Sequence, residues 1–230
     1  MQILINHLTR MQAGFICAAG IELQTGLHIR PMSQRPLSSQ LLRCHGGPLE
    51  LGRVLDMGNS SFAGSVPEIE DRMSDVTKWT AGERYSSPQV FELMSTVASD
   101  SLTEIFGPDL QSYGDRTFVV AEQRGIRSLG CFWAERPRIE FDLQSRKLNF
   151  VFSYQPFTLR LPITDIGLYG TDHVSVDEPS VVQANEEMQV CNRVLVSVGL
   201  SRAYRKANDQ PAWHWLQVNN VHASLSAMYA

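Results

Sequence analysis

Short apolar runs cut by glycine- and proline-bearing turns are the feature that most constrains this chain. "QILINHLTRM" gives way to "GFICAAGIEL", then to a "QTG" turn, then to "LHIRPM", all within the first 32 residues. Runs this short and β-branched, separated by turns, are the pattern of an antiparallel meander. Thr25-Gly26 lies where the chain must reverse, and glycine takes a left-handed backbone there without cost. "VLDMG" at 54–58 reads as a further strand. A second block repeats the pattern with "RTFVVAEQ", "LGCFWAE", "RIEFDLQ", "KLNFVFSY" and "FTLRLPI". The chain closes with "NRVLVSVGLSR", a polar turn "KANDQP", and "AWHWLQVNNVHA". Small barrels accommodate strands of this length better than a parallel sheet does.

One segment breaks the β pattern. In "SSPQVFELMSTVASD" the residues Val90, Phe91, Met94, Val97 and Ala98 form a 3.6-residue stripe. Ser87 is placed to cap it and Pro88 suits the first turn, so a helix is expected over 87–99. Gly107-Pro108 and Gly114-Asp115 mark a connector, and 171–189 is polar and acidic, a loop or short helix. "IELQT" at 21–25 is echoed by "FDLQS" at 141–145. The expectation is a mainly β protein of two OB-like small β-barrel units with one intervening helix. The first unit would span 1–110 and carry the helix; the second would span 115–230.

Several classes are disfavoured. No apolar run approaches the roughly 18 residues of a membrane span, and the opening decapeptide lacks the basic region of a signal peptide. Cys17, Cys44, Cys131 and Cys191 are scattered without a C-x-x-C pair, which suits reduced thiols, a cytoplasmic setting and no cysteine-built zinc site. A net charge of −4 argues against a protein that coats duplex DNA. Charge is nevertheless segregated: residues 1–55 hold five Arg against two acids, and residues 56–115 hold eleven acids against three basic residues. Arginine outnumbers lysine 17 to 3, favouring the planar fork that fits phosphates and stacks on rings.

Candidate binding residues follow from that fork. Leu8-Thr9-Arg10 and Leu200-Ser201-Arg202 place a hydroxyl beside a guanidinium at opposite ends of the chain, and Arg30 ends a strand at Pro31. Hydroxyl plus guanidinium can share a phosphate; the same pair also serves ordinary ion pairing. Phe132-Trp133 and Trp213-His214-Trp215 lie near arginines, as stacking platforms for single strands require, though core packing explains tryptophans equally well. The acidic "VPEIEDRMSD" reads as a solvated loop, having no calcium-loop spacing. No H-x-x-x-H, H-E-x-x-H, G-x-S-x-G, Walker or G-x-G-x-x-G pattern occurs, and Cys44-His45 has only adjacency to recommend it.

"ILINHLTRMQAGFICAAGIELQTGLHIRPM" and "VLVSVGLSRAYR" followed by "HWLQVNNVH" resemble the ends of the dual OB-fold proteins of bacteria and their mobile elements. That resemblance implies two OB-like barrels and recognition of nucleic acid, often beside defence or conflict genes, without a known reaction. The positions it points to are Thr9, Arg10, Arg30, Pro31, Ser201, Arg202, His214, Gln217 and Asn219, with the two Leu-hydroxyl-Arg triplets at equivalent edges of one composite groove. The first reading is therefore a non-enzymatic binder of single-stranded or structured RNA or DNA, acting in phage defence or counter-defence, with no cofactor, no membrane and a partner protein from a neighbouring gene. The alternatives are a sensor of a small nucleotide such as a cyclic dinucleotide, and a nuclease or nucleotide hydrolase using His7, His28 or His214.

Overall fold

The computed structural model describes residues 1–114, 116–205 and 211–223. Asp115 of the connector and all but Pro211 of the "KANDQP" turn lie outside the described residues. Eight strands make the first sheet: β1 (Gln2–Arg10), β2 (Phe15–Glu22), β3 (His28–Met32), β4 (Leu37–Ser38), β5 (Arg53–Asp56), β6 (Ser60–Phe62), β7 (Asp71–Ser74) and β8 (Thr80–Arg84). Their order is β6-β7-β3-β2-β1-β5-β8, with β4 paired to β2. After α1 (Ser87–Val97) come β9 (Ala98–Ser99), α2 (Leu102–Phe106), β10 (Gln111–Tyr113), β11 (Thr117–Ala121), β12 (Leu129–Asp142), β13 (Lys147–Tyr154), β14 (Phe157–Pro162), α3 (Glu178–Gln189), β15 (Arg193–Leu200) and β16 (Trp213–Val221). The second sheet runs β10-β11-β16-β15-β12-β13-β14, with β9 alongside β12.

The mainly β expectation is met by these two curled sheets. Register shifts in β1 between Ile5 and His7, in β12 between Glu135 and Arg138, and in β15 between Ser197 and Val198 bend the strands. Each curl encloses a core. The first holds Ile3, Ile5, Ile16, Ile29, Leu55 and Trp79; the second holds Phe132, Phe150, Phe152, Leu161, Val196 and Leu216. The echo has a structural counterpart. "IELQT" leads from β2 into the β2–β3 hairpin and "FDLQS" from β12 into the β12–β13 hairpin. β1 then lies beside β2 as β15 lies beside β12, so the two Leu-hydroxyl-Arg triplets end or follow strands in corresponding places.

Alternation puts the other face of the same strands into a third cluster. Leu4, Ile21 and Val54 of the first sheet meet Cys131 and Leu195 of the second around Val90 and Met94 of α1. The helix is thus an apolar wedge between the sheets. Its cap is Ser86 rather than Ser87: the Ser86 N–H and Oγ–H both donate to Gln89 Oε1, at 2.9 and 2.7 Å. It stops at Val97, short of 99, because Ala98 and Ser99 pair with Cys131 and Phe132 as β9. The connector also contains α2, whose Leu102, Ile105 and Phe106 enter the second core. The 171–189 region yields a twelve-residue α3, pinned where the Asn185 amide bonds both the N–H and the C=O of Ile139. Among the described residues no helix is long and apolar enough to cross a membrane.

Truncating the wedge should loosen both sheets at once. Met94→Ala, at a fully buried site, is expected to lower unfolding free energy by about 2–5 kcal/mol in urea titration. Val182→Ala on exposed α3 should change it by less than about 0.5 kcal/mol.

Candidate functional site

β1 is buried on both faces, so its polar residues cannot reach water and must find partners. They find them in the second sheet. The Asn6 amide donates to Ser197 Oγ and Cys131 Sγ, both at 3.3 Å, while Ser197 Oγ donates to Asn6 O at 2.7 Å. Because that hydroxyl proton is committed, the 3.0 Å contact between Ser197 Oγ and His222 Nε2 requires the imidazole to donate. The Asn220 side chain stands in for a neighbouring strand. Its Oδ1 accepts from Leu8 N–H at 2.7 Å, and its Nδ2 donates to Leu8 O at 3.2 Å and to Asp165 Oδ1 at 2.8 Å. Asn219 Nδ2 lies 3.0 Å from His7 Nδ1, and Gln217 Nε2 donates to Asn219 Oδ1 at 3.0 Å. Gly199 makes this possible, since a Cβ there would fall 2.5 Å from Asn219 Nδ2.

Burial sets the protonation of this seam. It pushes His28 and His222 down to about 4 and His7 well below the usual imidazole range, with His28, His222 and Arg30 adding to the depression at His7. It pushes the Cys131 thiol up to about 12 and the Asp165 carboxyl up to about 6, the latter against hydrogen bonds from Val221 N–H, Gly167 N–H and Asn220. Such histidines and thiols are poor bases and nucleophiles near neutrality.

Beside the seam, the sheets exchange arginines. Arg30 of β3 donates from Nε to Asp71 Oδ1, and Arg202 of the second sheet's β15–β16 connection donates from Nη2 to Asp71 Oδ2, each at 2.6 Å. Arg202 Nη1 also lies 3.3 Å from Glu68, and His214 Nδ1 lies 3.5 Å from the same carboxylate while donating to Ser201 O at 2.9 Å. Glu70 accepts from Ser128 N–H, Ser128 Oγ and Leu129 N–H at 2.8, 2.9 and 3.1 Å. In return Arg10 of β1 reaches the other way, donating to His173 O at 2.8 Å with its guanidinium carbon 3.8 Å from the Tyr169 ring centroid. The acidic stretch is therefore not a solvated loop: Glu68, Glu70 and Asp71 are 4–5% exposed and hold the sheets together.

The nine residues singled out from sequence divide accordingly. Arg30, Ser201, Arg202 and His214 gather around Asp71 and Glu68; Gln217 and Asn219 gather at His7; Arg10 is engaged separately by Tyr169 and His173. Thr9 donates to Cys17 O at 3.4 Å, and Pro31 is buried where β3 pairs with β7. Arg202 keeps 53% of its side chain exposed. Among the described residues, Arg30 Nη2 and His214 Nε2 are buried without a hydrogen-bond partner.

A different surface escaped the sequence reading. The loop after β3, the segment entering β6 and the end of β7 line an open cleft of about 780 Å³ that includes Arg35, Asn59, Ser60, Met73 and Val76. On the same edge hairpin Phe62 is 64% exposed, with the Arg72 guanidinium 4.9 Å from its ring centroid. A lone phenylalanine in "GNSSFAGS" has no periodicity to flag it. Among the described residues no group of three or more His, Cys, Asp or Glu could hold a metal ion.

A model of the dual OB-containing domain matches residues 1–221. No curated protein matches the chain. Among solved structures it is similar to a murine DNA-binding protein bound to double-stranded DNA, at 7% identity over 95% of this chain and 91% of that one; the TM-score of 0.32 gives that likeness no weight.

Asp71→Asn should cost about 3–5 kcal/mol in urea unfolding, because it strips the buried Arg30 of its counter-charge. Arg202→Lys, at a half-exposed position, should cost no more than about 1 kcal/mol. Acid should also unfasten the seam. His28 and His222 titrate lower in the fold than their ordinary 6.5, so the stability their neutral forms contribute falls as pH drops from about 6.5 toward 4, by an order of 3 kcal/mol each. Asp165, raised from 3.8 to about 6, works oppositely over its own window. The net expectation is a lower urea midpoint at acid pH, with a flatter pH profile in His28→Gln.

Proposed function

The chain belongs to the dual OB-containing domain family, and from that premise we propose that it is a non-enzymatic nucleic-acid-binding protein recognising single-stranded or structured RNA or DNA. The observation that carries the reading is an arginine held over an exposed aromatic ring, Arg72 at 4.9 Å from the centroid of the 64% exposed Phe62. Two further pairs, Arg10 over Tyr169 and Arg193 over Trp133, serve the packing instead, since Tyr169 is 6% exposed and Trp133 packs edge-on against Phe91. Ring faces stack bases while guanidinium groups take the phosphates between them. The net charge of −4 limits the contact to a few phosphates rather than a long tract. Binding without turnover is supported by the burial of His7, His28, His222 and Cys131 in the seam. We further propose that such binding serves phage defence or counter-defence, with recruitment of a protein encoded nearby.

A small nucleotide ligand is the second reading, favoured by a cleft of about 780 Å³, within the usual range of ligand pockets. Fluorescence anisotropy across a salt series separates the two. A polymer binder contacting two to four phosphates should give a log–log slope of roughly −1.4 to −2.8 on single strands. Binding of mononucleotides with a slope near zero would favour the second reading. Cleavage of the oligonucleotide with Mg²⁺, Mn²⁺ or Zn²⁺ present would overturn both.

A further inference from the structure

We infer that the cleft on the β6–β7 edge is the site for one unpaired nucleobase and its adjoining phosphate, the base stacking on Phe62 and the phosphate meeting Arg35. This rests on the nucleic-acid reading above and names its site and its substrate class.

Phe62 is the first reason. β6 is three residues long and, among the described residues, pairs with β7 alone at the end of its sheet. A ring 64% exposed there contributes little to the fold. It is nevertheless held. Phe62 and Arg72 are register partners, so both project from one face of the hairpin. Arg72 Nη1 is fixed by Ile69 O at 2.8 Å and Asp71 O at 2.9 Å. The guanidinium thereby orients the ring, and the rest of the ring's surface stays open to a ligand.

The cleft supplies the second reason. Ser60 lines it and shares a strand face with Phe62, two residues and roughly 7 Å along the strand. Phe62 itself lies beyond the lining, so a planar group on the ring reaches along the strand toward the cleft. There it meets hydroxyls and amides from Ser33, Gln34, Asn59 and Ser61, groups that both donate and accept and so can read a base edge or a sugar. Arg35 is the cation of the lining and Asp75 its anion. The Asp75 carboxylate is committed to its own turn, accepting from Thr77 N–H at 3.0 Å and Thr77 Oγ1 at 2.8 Å. Both bonds fall on Oδ1 and leave Asp75 anionic, so Arg35 alone draws a phosphate here, which limits the cleft to one. A base paired within a duplex keeps its faces inside the stack, so a protruding ring selects an unpaired base.

The test uses the full chain with two fluorescein-labelled probes, an oligothymidylate of about 15 nucleotides and a blunt duplex of equal length. Phe62→Ala should weaken single-strand binding by roughly 10- to 100-fold, the loss of one base–aromatic stack, and Phe62→Trp should restore it. Arg35→Ala should weaken binding and make the salt slope shallower by roughly 0.7, one phosphate's share for a single strand. Leu143→Ala, at an 81% exposed hairpin tip elsewhere, should leave binding unchanged. Both aromatic variants should melt like the parent, since the position is exposed. If the parent binds the oligothymidylate and Phe62→Ala binds it equally well, the cleft assignment falls while the nucleic-acid reading stands. If the duplex binds as tightly as the single strand, the unpaired-base assignment falls. If the parent binds neither probe, nor an oligouridylate and an RNA hairpin run beside them, both readings fall together.

Discussion

Asp71 gives one carboxylate oxygen to an arginine of each sheet, and the placement of the sheets depends on that division. A carboxylate 4% exposed cannot remain charged without close partners. Here Arg30 and Arg202 come from positions 41 and 131 residues away. Both partners are needed in one geometry, which exists only when the first sheet's β7 edge faces the second sheet's β15–β16 connection. Arg10 completes a reciprocal exchange by crossing to Tyr169 and His173. The two Leu-hydroxyl-Arg triplets are thus clasps between the sheets, each made by a strand-end arginine that has left its own sheet.

Adhesion and alignment are carried by different chemistry. The wedge of Val90 and Met94 against Leu4, Ile21, Val54, Cys131 and Leu195 buries apolar surface and tolerates sliding. The amides and histidines at β1, β15 and β16 tolerate little, because a shift of one residue would leave donors and acceptors facing each other wrongly inside a dry interface. Polar burial of this kind adds less to stability than an apolar core of equal volume. What it supplies is one fixed docking, and a fixed docking leaves the β6–β7 edge consistently free.

The sequence revealed whatever is local. Alternating runs located most strands, and the 3.6-residue stripe located α1 to within two residues. Its cap fell one residue earlier than expected because adjacent serines offer the same hydroxyl, and only Gln89 decides between them. Strand-end arginines were recognisable as special, yet their partners were not, since Glu68, Glu70 and Asp71 become buried only through pairings with residues remote in the chain. Dense carboxylates in a turn-rich stretch look solvated until the second sheet arrives. Phe62 went unnoticed for the opposite reason: its surroundings are as polar as they look, and its exposure is the informative fact.

The pairing of Asn220 with Leu8 spans 212 residues and carries a cost during synthesis. β5 covers β1 only from Gln2 to Leu4. Much of the remaining edge is closed by residues made late: the Asn220 amide at Leu8, the Thr9–Asp165 bridge and the bond from Arg10 N–H to Thr164 O. While the ribosome has yet to deliver β16, a nascent first sheet presents an apolar strand with open backbone groups, the edge that invites pairing with a neighbouring chain. A strand buried on both faces in the finished fold is therefore a sticky surface beforehand, and yield on expression should track how quickly the last third of the chain is translated.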